Sequence, residues 1–256
     1  MKNDEGVSTV VSVMLILAIL AICMATFSAT YLPGLKQNAE ILHSEDVEEA
    51  FMRFSGDVDS VYALDRSAVF SETFKLGGGD ILLSPSKSSG TVEIQNVSLG
   101  TLTIDNHDDI ELKTVNVSYM PYLTVWKPQG YLYGNGLVWV TLGSIETPAS
   151  LADFTSVNND SFAAADIDKR IGAMKDSLEI ENNTATITLT DLYADPAADY
   201  VTGSGSVKLS IDAEKNQTAL TLAPGERIRF DGDLWYNATD TMTVTLNIIS
   251  AKVSVR

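Results

Sequence analysis

The sequence predicts an all-β ectodomain, built as an antiparallel sandwich or two packed sheets, preceded by a long N-terminal transmembrane helix and then an amphipathic helix. Three observations predict this. No charged residue occurs between Val7 and Leu35. The apolar residues that follow recur at helical spacing, and beyond Asp65 the chain becomes a series of short segments alternating apolar and polar residues, separated by Gly, Asn and Asp.

The charge-free run comes first. As a helix, the stretch from Val7 to Leu32 would be about 39 Å long, more than the ~30 Å of a bilayer's hydrocarbon core. A secretory h-region is shorter, about 7–15 residues, and no A-x-A-like site closes the run before Tyr31-Leu32-Pro33-Gly34. An uncleaved span is therefore expected over 7–35, with membrane lipid as its partner. Pro33 and Gly34 should interrupt or end this helix, because Pro has no amide to donate. Cys23, the single cysteine, lies mid-run and reads as a small packing residue.

The chain carries 17 Lys and Arg against 34 Asp and Glu, a formal charge of −17. Lys2, Asp4, Glu5 and Lys36 cancel, so the whole excess belongs to the residues beyond the span. A surface of that sign repels phosphate backbones, and no nucleic-acid partner is expected. The local charges around the span are too balanced to set its orientation. Six N-x-S/T sequons, at Asn96, Asn116, Asn159, Asn182, Asn216 and Asn237, nominate glycosylation sites and favour an exported body.

The amphipathic helix is expected over 36–66. Val47, Phe51, Phe54, Val58 and Val61 follow one another at intervals of 4, 3, 4 and 3, with Glu45, Asp46, Glu48, Glu49, Arg53 and Asp57 off that line. Such a seam lies on a sheet or meets neighbouring subunits. Strands are expected at Thr91–Gln95, Ile110–Val115, Thr184–Leu189, Ser206–Ile211 and Met242–Ile248. Turns are expected at Gly77–Asp80, Ser88–Gly90, Gly134–Gly136, Gly203–Gly205 and Asp231–Asp233. A short helix or ordered insertion over 161–177 would divide the β-rich domain, 67–256, into halves of about 67–145 and 176–256.

Chemistry-bearing motifs are scarce. His43 and His107 are the only histidines, and neither G-x-S-x-G, H-E-x-x-H nor a phosphate-gripping glycine loop occurs. No catalytic residue, cofactor or metal ligand is nominated, and the expected function is non-enzymatic. The acidic run Asp105-Asn106-His107-Asp108-Asp109 is either a hard-cation site or a strand-to-strand turn. Tyr119, Tyr122, Trp126, Tyr131, Tyr133 and Trp139 crowd a short stretch. Tyr122, Trp126, Tyr131, Tyr133 and Trp139 are nominated as a binding face, against the alternative that these rings fill the core.

The segment Asp4-Glu5-Gly6-Val7-Ser8-Thr9-Val10-Val11, running straight into an apolar helix, resembles the N-terminus of archaeal type IV pilin-like proteins, which carry a class III signal peptide. Leu42–Phe51, Lys75–Gly90 and Trp126–Gly136 are similar to segments of uncharacterised exported members of that group. The resemblance implies a charged leader, residues 1–6, removed by a prepilin peptidase between Gly6 and Val7. It also implies a cell-surface protein held in the membrane, or assembled with other pilin-like subunits in a filament, through its N-terminal helix. A monomeric single-pass adhesin or ligand-binding module is the alternative. Bacterial major pilins carry glutamate at the fifth mature position, which is Val11 here, and the leader has two acids for one lysine.

Overall fold

The computed structural model describes residues 4–256 apart from 65, 79–80, 82–86, 135, 144, 150–167 and 169, with side chains described from residue 9 onward. It opens with one helical rod. α1 (Asp4–Thr26) passes through a π-helical turn (Phe27–Tyr31) into α2 (Leu32–Ala63). Thr9–Ala63 is a continuous helix of 55 residues holding a stretch long and apolar enough to cross a membrane. None of that stretch is buried, and the large apolar side chains from Val10 to Met24 are each more than half exposed. A helix apolar all round, with its side chains exposed, fits lipid or other helices as its surroundings.

The break expected at Pro33-Gly34 does not occur, and the predicted helices over 7–35 and 36–66 are one rod. The reason lies just upstream of Pro33. The Leu32 amide reaches back five residues, to Phe27 O, rather than four. One extra residue in that turn loosens the register ahead of the proline, whose missing amide then falls in the first turn of α2, where Pro is tolerated. The Thr26 and Thr30 hydroxyls bond back to Ile22 O at 2.8 Å and Thr26 O at 2.6 Å, satisfying carbonyls around the widened turn.

Thirteen strands follow among the described residues. In chain order they are β1 (Ala68–Lys75), β2 (Ser89–Ile104), β3 (Ile110–Tyr122), β4 (Gly130–Gly134), β5 (Leu137–Leu142), β6 (Ile145–Pro148) and β7 (Glu179–Glu181). The rest are β8 (Thr184–Ala194), β9 (Tyr200–Gly203), β10 (Ser206–Leu222), β11 (Arg227–Phe230), β12 (Asp233–Asn237) and β13 (Met242–Val255). They form a five-stranded sheet, β1-β10-β13-β8-β7, and an eight-stranded sheet, β12-β11-β2-β3-β4-β5-β6 with β9 also on β2. All five predicted strand segments lie in strands. Pairing is antiparallel with one exception: β8 and β13 run parallel from Thr184↔Thr243 to Ala194↔Val253. Local alternation is the same for both strand directions, so the purely antiparallel expectation had no means of detecting this pair.

Strands from 67–145 and 176–256 interleave: β1 joins β10, while β9 and β11 join β2. Residues 170–176 are helical, as expected of that part of the 161–177 insertion, and Met174 is buried. The rest of the insertion, apart from 168 and 177, lies outside the described residues. Of the expected turns, Gly203–Gly205 and Asp231–Asp233 connect strands. Ser88–Gly90 does not. β2 begins at Ser89, and Gly90 is buried where a Cβ would overlap Leu76 O and the Tyr119 ring, so this glycine serves a close approach.

Two hydrophobic cores lie along the sandwich, and the longest strands pass through both. The first takes Val47, Ala50, Phe51, Phe54, Val58 and Val61 from α2, with Val92 and Ile94 of β2, Tyr119 of β3, and Ala251 and Val253 of β13. The second continues beyond the helix end with Leu102 and Ile104 of β2, Ile187 and Leu189 of β8, and Val244 and Leu246 of β13. The predicted seam is thus buried completely, against a sheet. Aromatic edges meet it: Phe54 on Tyr133 at 5.2 Å and Phe51 on Phe74 at 5.9 Å between ring centroids. Phe54→Ala should destabilise the full chain in detergent micelles by about 3–5 kcal/mol, read by chemical unfolding, whereas Met52→Ala on the exposed face should change it by well under 1 kcal/mol.

Candidate functional site

The helix seam does not stop at Val47. Stepping back toward the span by 4, 3 and 4 residues gives His43, Glu40 and Lys36, all buried, with Ser44 beside them. Polar groups withdrawn from water need partners, and the ends of β3 and β4 supply them.

Glu40 is the most heavily bonded. Its Oε1 accepts from the Thr124 amide at 2.9 Å and the Thr124 hydroxyl at 2.8 Å; its Oε2 accepts from the amides of Val125 at 3.0 Å and Trp126 at 2.7 Å. Three successive amides of the loop after β3 thus point at one carboxylate. Burial by itself would raise the Glu40 pKa. The bonds from Trp126, Thr124 and Val125 outweigh it and hold the group below the usual carboxylate value, so it is ionised at neutral pH.

One residue pair further from the span, His43 Nε2 lies 3.0 Å from the Tyr119 hydroxyl, which donates its own proton to Leu76 O at 2.9 Å. With that proton committed, the hydroxyl accepts from His43, which assigns the neutral imidazole its proton on Nε2. Burial lowers the His43 pKa and Lys75 adds to this, while Asp46, the Leu76 carbonyl contact and Glu40 act in the opposite direction without reversing it. Ser44 Oγ and Tyr131 Oη are 2.9 Å apart; Gln129 Nε2 donates to Tyr131 Oη at 3.0 Å, which donates in turn to Glu48 Oε2 at 3.3 Å. Burial above all pushes Tyr131 up to about 12 and Tyr119 higher still, so both phenols stay protonated. Gly78 closes the site from the β1 side. A Cβ there would overlap the His43 side chain, so part of the Gly77–Asp80 run serves the approach of the chain to the helix.

The carboxylate is saturated by donors, the neutral imidazole donates from Nε2 and both phenols are un-ionised. What the arrangement does is fix one face of the helix, immediately beyond the apolar stretch, to the β-domain. Sequence reasoning overlooked Glu40 and Ser44 and gave His43 no role. Their polarity reads as a solvated face, although the 4, 3 and 4 spacing that continues the seam was a visible signal.

The nominated aromatic face is not assembled. Tyr131 and Tyr133 are buried, as is Tyr119, because alternate positions of β3 and β4 point at α2; Trp139 is buried too, but it pairs with Leu132 on the opposite face of the sheet. Tyr122 is 59% exposed and Trp126 half-buried, both at the corner that Glu40 holds. Among the sequons, Asn182, Asn216 and Asn237 are exposed, as is Asn96, although its Oδ1 accepts from the Ala194 amide at 2.7 Å. Asn116 is half-buried, and Asn159 lies outside the described residues. Gly6 and Val7 lie in the first turns of α1, with their side chains outside the described set. The acidic run is a turn between β2 and β3. Asn106 takes a positive φ and bonds Glu226, while Asp105 accepts from Arg229 at 2.7 Å, the bond that chiefly lowers its pKa, and from the Arg227 amide. Among the described residues no three His, Cys, Asp or Glu side chains converge as a metal site.

A cavity of about 440 Å³ lies beyond the helix end, lined by Asp59, Tyr62, Arg170, Met174, Thr188 and Thr190. Arg170 bonds Asp59 at 3.0 Å and lies over the Tyr62 ring at 4.3 Å from its centroid. Comparison with protein-family models, curated proteins and solved structures finds no match to this chain.

Acid should loosen the attachment through both titrating groups. His43 titrates lower folded than unfolded, so the unfolded chain takes up a proton first as pH falls below about 6.5, and stability is lost from there down to the folded value. Glu40 has its folded pKa lowered, so its contribution is full above about 4.5 and disappears as pH falls through the folded value. Subtracting the stability of His43→Gln from that of the native chain across pH 7 to 5 should therefore leave a difference that declines with acidification. Glu40→Gln, which turns an amide group toward loop donors, should cost about 2 kcal/mol at pH 7 and less below pH 4, read by chemical unfolding in micelles.

Proposed function

We propose that the chain is a non-enzymatic, pilin-like cell-surface protein of the archaeal type, held in the membrane or assembled with like subunits through its N-terminal helix. The observation that carries this reading is the rod itself. A helix apolar on every side through its first half becomes, without a break, the helix that fills the core of a β-domain in its second half. A removable signal sequence has no need of such continuity, and a cleavage after the apolar stretch would leave the domain on a severed stalk.

In this reading a prepilin peptidase cuts between Gly6 and Val7. The site lies in the opening turns of α1, where the first amides have no intrahelical partner and the backbone is most easily drawn into an extended form. The acidic domain then stands outside the membrane, where the exposed sequons at Asn96, Asn182, Asn216 and Asn237 are available for glycosylation. The uncharged position 11 favours simple anchoring, since no carboxylate is offered there to a neighbouring subunit's N-terminus.

N-terminal sequencing of the protein purified from its native membrane tests the reading. The expected first residue is Val7, and Gly6→Ile should leave the leader attached. A start near Lys36 or an intact Met1 overturns pilin-type processing.

A further inference from the structure

The loop that Glu40 grips has a position fixed by the helix. The charge-free stretch from Val7 to Leu35 makes about 44 Å of helix, the ~40–45 Å between the outer edges of a bilayer's two headgroup layers. Glu40 lies five residues past Leu35, about 7 Å further along. Its bonds to the Thr124, Val125 and Trp126 amides therefore hold the corner after β3 just above the headgroups, and an ordinary helix tilt of about 20° lowers one side of the domain further.

The chemistry of the corner suits that level. Met120, Tyr122 and Val125 are 48%, 59% and 45% exposed, Trp126 is half-buried and Lys127 is exposed. In a chain with a net charge of −17, no Asp or Glu occurs from Leu112 to Ile145, whereas Lys113 and Lys127 do. Aromatic rings with a polar tip beside a lysine, with the one carboxylate that touches the loop, Glu40, turned inward onto its amides, suit the water–bilayer boundary.

We propose that the Tyr122–Lys127 corner is a second membrane contact, seating Tyr122, Val125 and Trp126 in the lipid headgroup layer beside the span. The helix and the corner then hold the domain at two points, which sets its tilt and its rotation about the rod. The inference rests on the reading of Val7–Leu35 as a membrane span.

The test uses the full chain with Cys23→Ala, in vesicles of phosphatidylcholine with a minority of phosphatidylglycerol. An environment-sensitive fluorophore is placed on one new cysteine at a time: Val125→Cys, Ile16→Cys in the span, or Leu234→Cys, an exposed position on β12 by the second core. Headgroup-attached nitroxide lipid should remove about half of the Val125→Cys emission and little of the Leu234→Cys emission, since quenching reaches no further than about one headgroup layer. Acyl-chain nitroxide should quench Ile16→Cys. If Ile16→Cys is quenched and Val125→Cys behaves like Leu234→Cys, the corner is in water and the proposal is overturned while the span stands. A blue-shifted Val125→Cys that ignores lipid nitroxides and reverts when the protein is diluted in lipid identifies a second copy of the chain, and also overturns it. An unquenched Ile16→Cys removes the span, and the proposal with it.

Discussion

One helix has to satisfy two solvents, and the rest of the molecule is arranged around the point where they change. From Thr9 to Tyr31 every side chain of the rod is exposed; from Lys36 onward one face is covered by the β-domain. An apolar seam alone would set the helix on the sheet but leave its height free, because Val, Phe and Ala at repeating intervals accept a slip of one turn at modest cost. The Glu40 carboxylate removes that freedom. It is directional, it accepts from three consecutive amides and a hydroxyl, and a shift of one turn, about 5.4 Å, would leave a buried charge and four donors unanswered.

The same logic explains why the polar groups lie at the membrane-proximal end of the seam and the apolar ones further out. A domain standing on a rod is levered where the rod meets it, and directional hydrogen bonds resist sliding and rotation better than area burial does. Tyr119 and Tyr131 connect the two regimes, their rings packed among Phe51 and Phe74 and their hydroxyls in the polar network with His43, Ser44 and Glu48. Gly78 lets the chain approach the His43 side chain and Gly90 lets it approach Tyr119 and Leu76 O, closely enough for those bonds to form.

Much of the fold was legible because its signals are local. The 4-3-4-3 seam from Val47 to Val61 and the alternation in β2, β3, β8, β10 and β13 each follow from the period of one element. What depends on two elements together was not. The parallel direction of β13 against β8 is a property of the pair. The π turn before Pro33 is a way of keeping a helix that sequence rules end there. Tyr119, Tyr131 and Tyr133 of β3 and β4 alternate as core residues do, and only the presence of α2 over that face decides between core and surface. The site was illegible for a chemical reason: Glu40 and His43 are surface residues by type, and their burial is tolerable only because the loop at 124–126 and Tyr119, some eighty residues away in sequence, offer matching groups.

A buried, saturated carboxylate is ordinarily weak evidence of stabilisation, since an apolar replacement of the same shape is often as good. Here its position argues for specificity. Leucine at residue 40 would leave only Lys36 and the neutral His43 to separate the apolar seam of the domain from the apolar stretch of the rod. A charge at that step marks the boundary, because an ionised Glu40 cannot enter hydrocarbon without losing all four of its bonds. If the apolar half spans a bilayer, as proposed, the clamp sets how deep the rod sits as well as how the domain is held, and any force on the domain reaches the apolar half of the helix through these few contacts.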